Sequence, residues 1–467
     1  MNRLRGELMR KAVHISMGGF ALLFRWITPG QAAILAIVAL LFNLFVLHRL
    51  TRRALLREGE RASGFSLGIA LYPGVVLVAI VVFRERMELA AAVWGLLAVG
   101  DGMATVAGVL SKGWKLPWNR QKSWAGFFAF VLNGAAAAAF LIRWTQQAAV
   151  DATPAMESVG LSFLAVGGRA QEFAFLIAAC LVAALAAAFA ESLPTGIDDN
   201  ILVGLVGGGV LYAATLVQPV LLSVRGAELI TAALWGAVVN AVLALAAYAV
   251  KSVNVSGALS GFVLGTALFA FGGWRGFLML FVFFVLGTAA TKLGYRKKAA
   301  LGIAQEQGGR RGVKNAVANT LTGVLFSFLA VSTVSPEVFT AALVAAFATA
   351  VCDTVSSEVG QAYGRTHLLI TNFRRVPAGT DGAVSLAGTM AGLAAALALA
   401  GIAWRIDLVT LPVAGIVAAA GFAGATIESY LGATVEKIDM LDNDLVNFAN
   451  TMIGALLALI ATWLLIG

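Results

Sequence analysis

The chain is poor in charge, in cysteine and in histidine. Only 12% of its 467 residues are charged, whereas 60% are hydrophobic, and this balance excludes a soluble domain. The two cysteines, Cys180 and Cys352, lie far apart in apolar segments, so neither a disulfide framework nor a thiolate metal site is predicted. The three histidines, His14, His48 and His367, are not at ligand spacing, so a histidine metal site is not predicted either.

Two further motifs are absent from the sequence. The nucleotide-binding pattern GxxxxGK[ST] does not occur, because Trp114 follows Gly108 and Gly113 where that pattern requires lysine. Any nucleotide chemistry must therefore proceed without a P-loop. The N-terminus carries charge but no small-residue cleavage site, so we expect its first apolar segment to be a retained helix rather than a signal peptide.

Apolar runs of about 20 residues recur from one end of the chain to the other, which is the pattern of membrane-spanning helices. We predict an all-α, polytopic integral membrane protein with about fifteen transmembrane helices, arranged as two parallel seven-helix repeats plus a linking helix. The predicted spans are 12–27, 31–48, 65–83, 87–110, 123–143, 172–192, 201–223, 227–250, 253–272, 274–295, 314–333, 336–358, 382–403, 409–431 and 445–466.

Membrane topology explains the net charge of +9 better than nucleic-acid binding does. With these spans, all but eight of the 33 lysines and arginines lie on the same side of the membrane as the N-terminus. Because cytoplasmic loops carry the excess of positive charge, we expect the N-terminus and the basic loops 111–122 and 364–380 to be cytoplasmic, in the cell membrane. Nucleotide is available on that side, and no nucleic-acid partner is predicted.

The two halves of the sequence resemble each other. The run KAVHISMGGFALL at 11–23 is echoed by KSVNVSGALSGFVL at 251–264, and Asp101 and Glu191 correspond to Asp353 and Glu428. Beyond these pairs the register stays open, since either Asp199 matches Asp442 or Asn200 matches Asn447. The predicted domains are 1–225 and 251–467, joined by a linking helix at 226–250 that makes the halves parallel rather than inverted.

Each half contains one stretch with an acidic helix end and a basic loop. Asp101 opens DGMATVAGVLSKGWKLPWNRQKSWAG, and Asp353 opens DTVSSEVGQAYGRTHLLITNFRRVPAGTDGAVSLAG. A carboxylate that binds magnesium beside a cationic, glycine-bearing loop suits triphosphate chemistry. Carboxylates at apolar helix ends are functional candidates, or they mark helix ends that reach water. Glu358 either joins the cation site of Asp353 or forms an ion pair with Arg365.

These motifs resemble two families of lipid kinases. RKAVHISMGG, VGDGMATVAGVL, NRQKSWAG and ESLPTGIDDN, within residues 1–225, resemble the CTP-dependent polyprenol kinases, the group of dolichol kinase and phytol kinase. Ala125 stands where many members carry an acidic residue, which favours the phytol kinase branch. DTVSSEVG, PAGTDGAVSLAGT and ESYLG, within residues 250–467, resemble the phytyl-phosphate kinase family. Together they resemble the two kinases that convert a prenyl alcohol into its diphosphate.

The resemblance implies a bifunctional enzyme that uses CTP and Mg²⁺ on a prenyl alcohol of the phytol or geranylgeraniol type and on its monophosphate, within the lipid bilayer. The predicted catalytic residues are Asp101, Asp198, Asp199 and Asp353. The predicted nucleotide and phosphate ligands are Lys112, Lys115, Lys122, Ser123, Arg365, Arg374, Arg375, Thr380, Asp381 and Ser385. The predicted metal ligands are Asp101, Glu191, Asp353, Glu358 and Glu428, and the predicted pocket residues are Arg10, Lys11, His14, Asn200 and Asn447.

Two other functions fit parts of the sequence. A lipid-phosphate cytidylyltransferase uses the same substrates, CTP and a lipid phosphate, but attacks a different phosphorus atom. A lipid transporter or scramblase fits the repeat architecture. The cationic loops between acidic helix ends favour the kinase over the transporter.

Overall fold

The computed structural model describes residues 2–47, 67–111, 113–152, 169–304, 310–434 and 441–466, almost all of them helical. The predicted phosphate ligand Lys112 and the basic loop around 49–62 lie outside the described residues. The chain divides into two compact units, Met1–Leu216 and Val217–Gly467. The helix that the sequence predicts as a link belongs to the second unit. Both cysteines are buried and free.

The first unit is built from helices that overlap the predicted spans but differ from several of them at one end by up to ten residues. They are α1 (Asn2–Met17), α2 (Pro29–Phe42), α3 (Leu67–Val82), α4 (Met87–Gly95), α5 (Asp101–Leu110), α6 (Trp124–Ala152), α7 (Arg169–Ser192) and α8 (Asp199–Leu216). A 3₁₀ helix, Gly18–Arg25, continues α1, and π-helical turns at Asn43–Leu47 and Leu96–Gly100 continue α2 and α4. The second π-turn leads directly into α5, so that α4 and α5 form one span.

The second unit contains the remaining helices and one small hairpin. They are α9 (Pro219–Val224), α10 (Gly226–Ala249), α11 (Val255–Lys292), α12 (Tyr295–Ala300), α13 (Val313–Ser332), α14 (Pro336–Tyr363), β1 (Leu368–Leu369), β2 (Ala383–Val384), α15 (Leu386–Arg405), α16 (Leu411–Thr434) and α17 (Asn443–Ile466). The strands β1 and β2 are antiparallel and pair Leu368 with Val384. The hairpin carries the predicted basic loop and returns the chain to the start of α15.

Within the described ranges, 12 helices are long and apolar enough to cross a membrane, so the helical membrane fold is confirmed but the count of fifteen is not. Two local features account for most of the difference. The segment Gly68–Val82 is apolar but short. The predicted spans 253–272 and 274–295 form one helix of 38 residues, interrupted at Gly273, whose φ of 62° is a left-handed conformation that glycine tolerates.

Helix α14 lies at the centre of the second unit, and 83% of its most apolar stretch is buried. Neighbouring helices approach it through glycine. A Cβ atom built on Gly392 of α15 would lie 2.5 Å from the carbonyl oxygen of Cys352. Since that oxygen belongs to the backbone of a helix, it cannot move aside as a flexible side chain would. The packing of α15 on α14 therefore depends on this glycine.

We expect Gly392→Ala to destabilise the protein by about 1–3 kcal/mol, because the new methyl group overpacks the contact between α14 and α15. The measurement is the thermal unfolding midpoint of the purified protein in detergent. Gly401→Ala is the matched control on the same helix, since a Cβ atom there meets nothing within 4 Å. Equal midpoints for the two variants would show that the close approach does not limit packing.

Candidate functional site

Asp101 begins α5 immediately after the π-helical turn Leu96–Gly100, and it is buried. The ammonium group of Lys11 lies 2.6 Å from its Oδ2 atom, and Nε2 of His14 lies 3.3 Å from the same oxygen. Both partners come from α1, about 90 residues away in sequence. π-Helical turns are frequent at functional sites, and here the turn precedes a buried carboxylate with a cationic partner.

His14 is held in place from several directions. Its Nε2 atom lies 2.9 Å from the carbonyl oxygen of Leu97 and faces Asp101, so two acceptors surround that nitrogen and it carries the proton. The imidazole ring packs against Tyr72 with ring centroids 4.3 Å apart. The indole nitrogen of Trp94 donates a hydrogen bond of 2.9 Å to the Tyr72 hydroxyl group. The sequence predicts a pocket role for His14 but gives no sign of Tyr72 or Trp94.

Lys122 bridges two acidic residues of the neighbouring helices α7 and α8. Its ammonium group forms ion pairs with Glu191 and with Asp199, the latter at 3.0 Å. Burial disfavours the charged form of Lys122, but the charges of Glu191 and Asp199 outweigh it and raise the pKa of Lys122 above its usual value. Lys122 therefore stays protonated at neutral pH, while Glu191 and Asp101 are near enough for their charges to interact.

The loop before α6 is fixed to the end of α7. The indole nitrogen of Trp118 donates to the hydroxyl group of Ser192, and the side-chain amide of Asn119 donates to its carbonyl oxygen, both at 3.0 Å. Ser123 is buried, and its hydroxyl group accepts a hydrogen bond of 3.2 Å from the Gly126 amide. Ser123 thus caps the start of α6, while the ammonium group of exposed Lys115 donates a 3.4 Å hydrogen bond to the Gln121 carbonyl oxygen.

A cavity of about 760 Å³ opens within the first unit beside Asp101. Its volume lies within the range of small-molecule sites. One end is polar, and it is lined by Arg10, Lys11, His14, Asp101, Asp198, Asp199 and Asn200. The remainder is apolar and is lined mainly by α2, α3 and the 3₁₀ helix, with residues that include Phe24, Leu35, Ala36, Phe42, Ile69 and Ile80. The cavity therefore suits a molecule with a polar head and a long apolar tail.

In the second unit, Asp353 of α14 and Glu428 of α16 are hydrogen-bonded to each other through their carboxyl groups. Two carboxyl groups this close to each other disfavour being ionised together, and a shared proton or a bound cation relieves that repulsion. In the first unit, by contrast, lysines form ion pairs with the corresponding carboxylates, Asp101 and Glu191. Asp101 and Glu191 are thus each paired with a lysine, whereas Asp353 and Glu428 contact each other.

Glu358 is buried and forms an ion pair with Lys298 of α12, whose side chain is 1% exposed. The ammonium group of Lys298 also donates a hydrogen bond of 2.9 Å to the Thr291 carbonyl oxygen. The other carboxylate oxygen of Glu358 is buried and has no hydrogen-bond partner in the described part of the chain. The ion pair with Arg365 considered from the sequence is wrong, because Lys298 occupies that role.

Arg311 is a second buried cation near Glu358. Its guanidinium group lies 5.3 Å from the ring centroid of Phe283, and no carboxylate of the described residues is within ion-pair distance. Burial lowers the pKa of Arg311 to about 10, although the negative charge of Glu358 acts to raise it. A buried guanidinium of this kind is suited to an anionic ligand such as phosphate. Nothing in the sequence singles out Arg311 or Lys298, because each stands directly beside other basic residues.

The predicted phosphate ligands of the second half are mostly exposed. They are Arg365, Arg374, Arg375, Thr380 and Asp381, on and around the hairpin. Ser385 is buried and caps α15 by accepting a 3.2 Å hydrogen bond from the Gly388 amide, which matches Ser123 and Gly126 in the first unit. Asn447 is buried, and its side-chain amide donates to the Asn443 side chain at 3.0 Å. Their roles in binding stay predictions.

The charged side chains do not form a ready-made metal cage. Over the described ranges, no group of three or more His, Cys, Asp or Glu side chains is arranged to hold a metal ion. Magnesium is usually held by one or two carboxylates together with substrate phosphates, so two carboxyl groups suffice for it. The Asp353–Glu428 pair fits that requirement, while Asp101 and Glu191 are engaged with lysines.

Comparisons with known proteins give matches that each cover about half of the chain. The family model described as "Integral membrane protein DUF92" matches residues 238–455. An uncharacterized membrane protein of Synechocystis is 41% identical over 46% of this chain and 86% of its own length. Protein VTE6, chloroplastic, of Arabidopsis thaliana is 38% identical over 45% of this chain and 66% of its own length.

A third relative is named after an enzymatic activity. Farnesol kinase, chloroplastic, of Arabidopsis thaliana is 32% identical over 43% of this chain, a match that covers 62% of that kinase. No solved structure matches the chain.

Proposed function

Because the chain belongs to the DUF92 family of integral membrane proteins, we propose that it is a membrane lipid kinase with two successive activities. The first unit phosphorylates a prenyl alcohol, and the second phosphorylates the resulting monophosphate to the diphosphate. CTP is the proposed phosphoryl donor and Mg²⁺ the proposed cation. The name of one relative, farnesol kinase, supports the class of reaction and the isoprenoid substrate.

The observation that carries this proposal is the cavity in the first unit. Its apolar part suits a prenyl tail, and its polar end presents Asp101, Lys11 and His14 to a hydroxyl group. Asp101 is the proposed acceptor of the hydroxyl proton, a role that needs a carboxylate within hydrogen-bond reach of the alcohol. Lys11 and Lys122 supply positive charge for the negative phosphoryl group, and positioning and charge neutralisation account for most of the catalysis of phosphoryl transfer.

In the second unit the acceptor is already an anionic phosphate, so charge neutralisation replaces proton removal as the main requirement. The buried cations Lys298 and Arg311 are the proposed phosphate ligands, together with the exposed arginines of the hairpin. Asp353 and Glu428 are the proposed ligands of Mg²⁺, which neutralises phosphate oxygens when it is bound. Glu358 holds Lys298 in place through the buried ion pair.

The position of the label in CTP tests the reaction type. Purified protein supplied with a prenyl alcohol, Mg²⁺ and CTP labelled at the γ-phosphate should yield labelled lipid, and CTP labelled at the α-phosphate should not. Transfer of the α-label to lipid phosphate would instead establish cytidylyltransfer. If no label is transferred from any nucleotide, the kinase proposal fails and the transporter remains.

We expect Ala36→Trp to lower kcat/KM for a long prenyl alcohol by roughly 10-fold, because the indole fills the apolar part of the cavity that Ala36 lines. Ile37→Trp is the matched control, since Ile37 is exposed and does not line the cavity. The measurement compares a long alcohol with a short one on both variants. An equal loss for both alcohols, or for both variants, would show that the tail does not bind in this cavity.

A further inference from the structure

Asn450 of α17 is a buried amide that the candidate site leaves unexplained. Its side chain is 1% exposed, and neither its oxygen nor its nitrogen has a hydrogen-bond partner in the described part of the chain. Burying a polar group without a partner costs about 1–3 kcal/mol. Its helix packs against α14 and α16, which also pack against each other, so the side chains of those helices at the level of Asn450 indicate what the amide faces.

Small residues bring these three helices into direct contact at one level. A Cβ atom built on Gly454 of α17 would lie 3.1 Å from the Cβ atom of Thr349 on α14. A Cβ atom built on Gly424 of α16 would lie 3.2 Å from the Cα atom of Gly454. Thr349, Gly424 and Gly454 therefore form one layer of the second unit.

The directions of the helices determine which residues lie one turn away from this layer. Helix α17 runs alongside α13 in the same direction, as two contacts show. Near the start of both helices, the ammonium group of Lys314 lies 3.6 Å from a carboxylate oxygen of Asp442. Further along both, the hydroxyl oxygens of Thr322 and Thr451 are 2.9 Å apart. Helix α14 follows α13 after a connection at 333–335 and packs back along it, so α14 and α17 run in opposite directions. Moving one turn along α14 therefore corresponds to moving one turn back along α17.

One helical turn from the glycine layer, the same face carries three polar side chains. Asp353 follows Thr349 by four residues, Glu428 follows Gly424 by four, and Asn450 precedes Gly454 by four. Residues four apart lie on one face of a helix. Asn450 thus faces the layer in which Asp353 and Glu428 are hydrogen-bonded to each other.

We infer that Asn450 is the third protein ligand of a divalent cation held by Asp353 and Glu428. Two carboxylates and one carboxamide oxygen are the hard oxygen donors that Mg²⁺ and Mn²⁺ prefer. Asp353, Glu428 and Asn450 would hold the cation, which would supply positive charge to phosphate oxygens when bound. This inference deepens the proposed function, on which its phosphate chemistry rests, by naming the ligands of the second site.

Among its described residues, the first unit has no matching site for a divalent cation when nucleotide is absent. Asp101 is paired with Lys11, and Glu191 is paired with Lys122, so each carboxylate already has a positive partner. A cation would have to compete with both lysines. The chain should therefore bind one divalent cation on its own, in the second unit.

The test uses Mn²⁺ binding to the purified full-length protein in detergent without nucleotide, followed by electron paramagnetic resonance and by Mn²⁺-dependent thermal stabilisation. Asn450→Leu should weaken Mn²⁺ binding by roughly 10-fold or more, because it removes an oxygen ligand. Its unfolding midpoint without Mn²⁺ should equal or exceed that of the wild type, since the unpaired amide is gone. Asn450→Asp should bind Mn²⁺ at least as tightly as the wild type, and Asp101→Asn should bind it equally well.

Wild-type affinity in Asn450→Leu, weaker binding in Asn450→Asp, or no Mn²⁺ bound by the wild type would each overturn the inference. Asn450→Asp keeps the test decisive if the leucine variant does not fold. The labelled-CTP assay separates this result from the proposed function. Mn²⁺ binding that depends on Asn450 without phosphoryl transfer would retain the cation site and reject the kinase. Phosphoryl transfer with binding independent of Asn450 would do the reverse.

Discussion

Replacing Asp353 with asparagine should leave phosphorylation of the prenyl alcohol intact and make the monophosphate accumulate. The substitution removes one carboxylate of the Asp353–Glu428 pair, and with it part of the charge that holds the proposed cation. Loss of such electrostatic stabilisation commonly costs a few kcal/mol in the transition state, or roughly 10²-fold or more in rate. The measurement is a product assay in which each variant receives the alcohol and the monophosphate separately.

Asp407→Asn is the matched control, because Asp407 is exposed and follows the opposite end of α15. Its φ of 55° is tolerated by asparagine as well as by aspartate, so the control should fold and retain both steps. If Asp353→Asn abolishes both steps while its unfolding midpoint is unchanged, the two halves do not act separately, and the assignment of one reaction to each unit is wrong.

The helices could be predicted from the sequence wherever an apolar run is long and uninterrupted. The predicted spans 87–110 and 227–250 correspond to Met87–Leu110 and Gly226–Ala249. Length and hydrophobicity alone determine these elements, because the hydrocarbon core requires about 20 apolar residues per helix. The assignment of one kinase reaction to each half, the use of CTP and the cytoplasmic orientation stay predictions.

Local backbone geometry was not predictable in the same way. The first predicted span, 12–27, is an α-helix that continues as a 3₁₀ helix from Gly18 to Arg25. The π-helical turn at Leu96–Gly100 also carries no pattern in the sequence, since a single widened turn leaves the hydrophobic run unchanged. That turn nevertheless sets the direction of α5 and thereby the position of Asp101.

The carboxylates of the candidate sites could be identified from sequence, but their partners could not. Asp101, Glu191, Asp353 and Glu428 stand out because charge is rare in apolar segments. Lys298 pairs with Glu358 across 60 residues, and no local spacing signals a contact at that separation. Arg311 and Asn450 are likewise recognised only by burial, because a polar residue near a helix end looks the same in sequence whether it faces lipid, water or a core.

Replacing Asp101 with asparagine should block the first step and spare the second. The asparagine side chain keeps the shape of aspartate but cannot accept the hydroxyl proton as a carboxylate does, and it leaves the buried ammonium group of Lys11 without its counter-charge. We expect the rate of alcohol phosphorylation to fall roughly 10²-fold or more, whereas added monophosphate should still become diphosphate. Glu85→Gln, at an exposed position between α3 and α4, is the control for loss of one acidic side chain.

A double variant separates the two consequences of this substitution. In Asp101→Asn with Lys11→Met, the unpaired buried charge is removed but the missing carboxylate is not restored. Lys11→Met alone is the reference, because Lys11 itself is proposed to neutralise phosphoryl charge. If Asp101 accepts the proton, the double variant should regain thermal stability but phosphorylate the alcohol much more slowly than Lys11→Met. If Asp101 acts only as the partner of Lys11, the double variant should be as active as Lys11→Met, and the proton-accepting role would be rejected. Because the unfolding midpoint and the rate are measured on the same protein, each outcome identifies which property of Asp101 the first reaction requires.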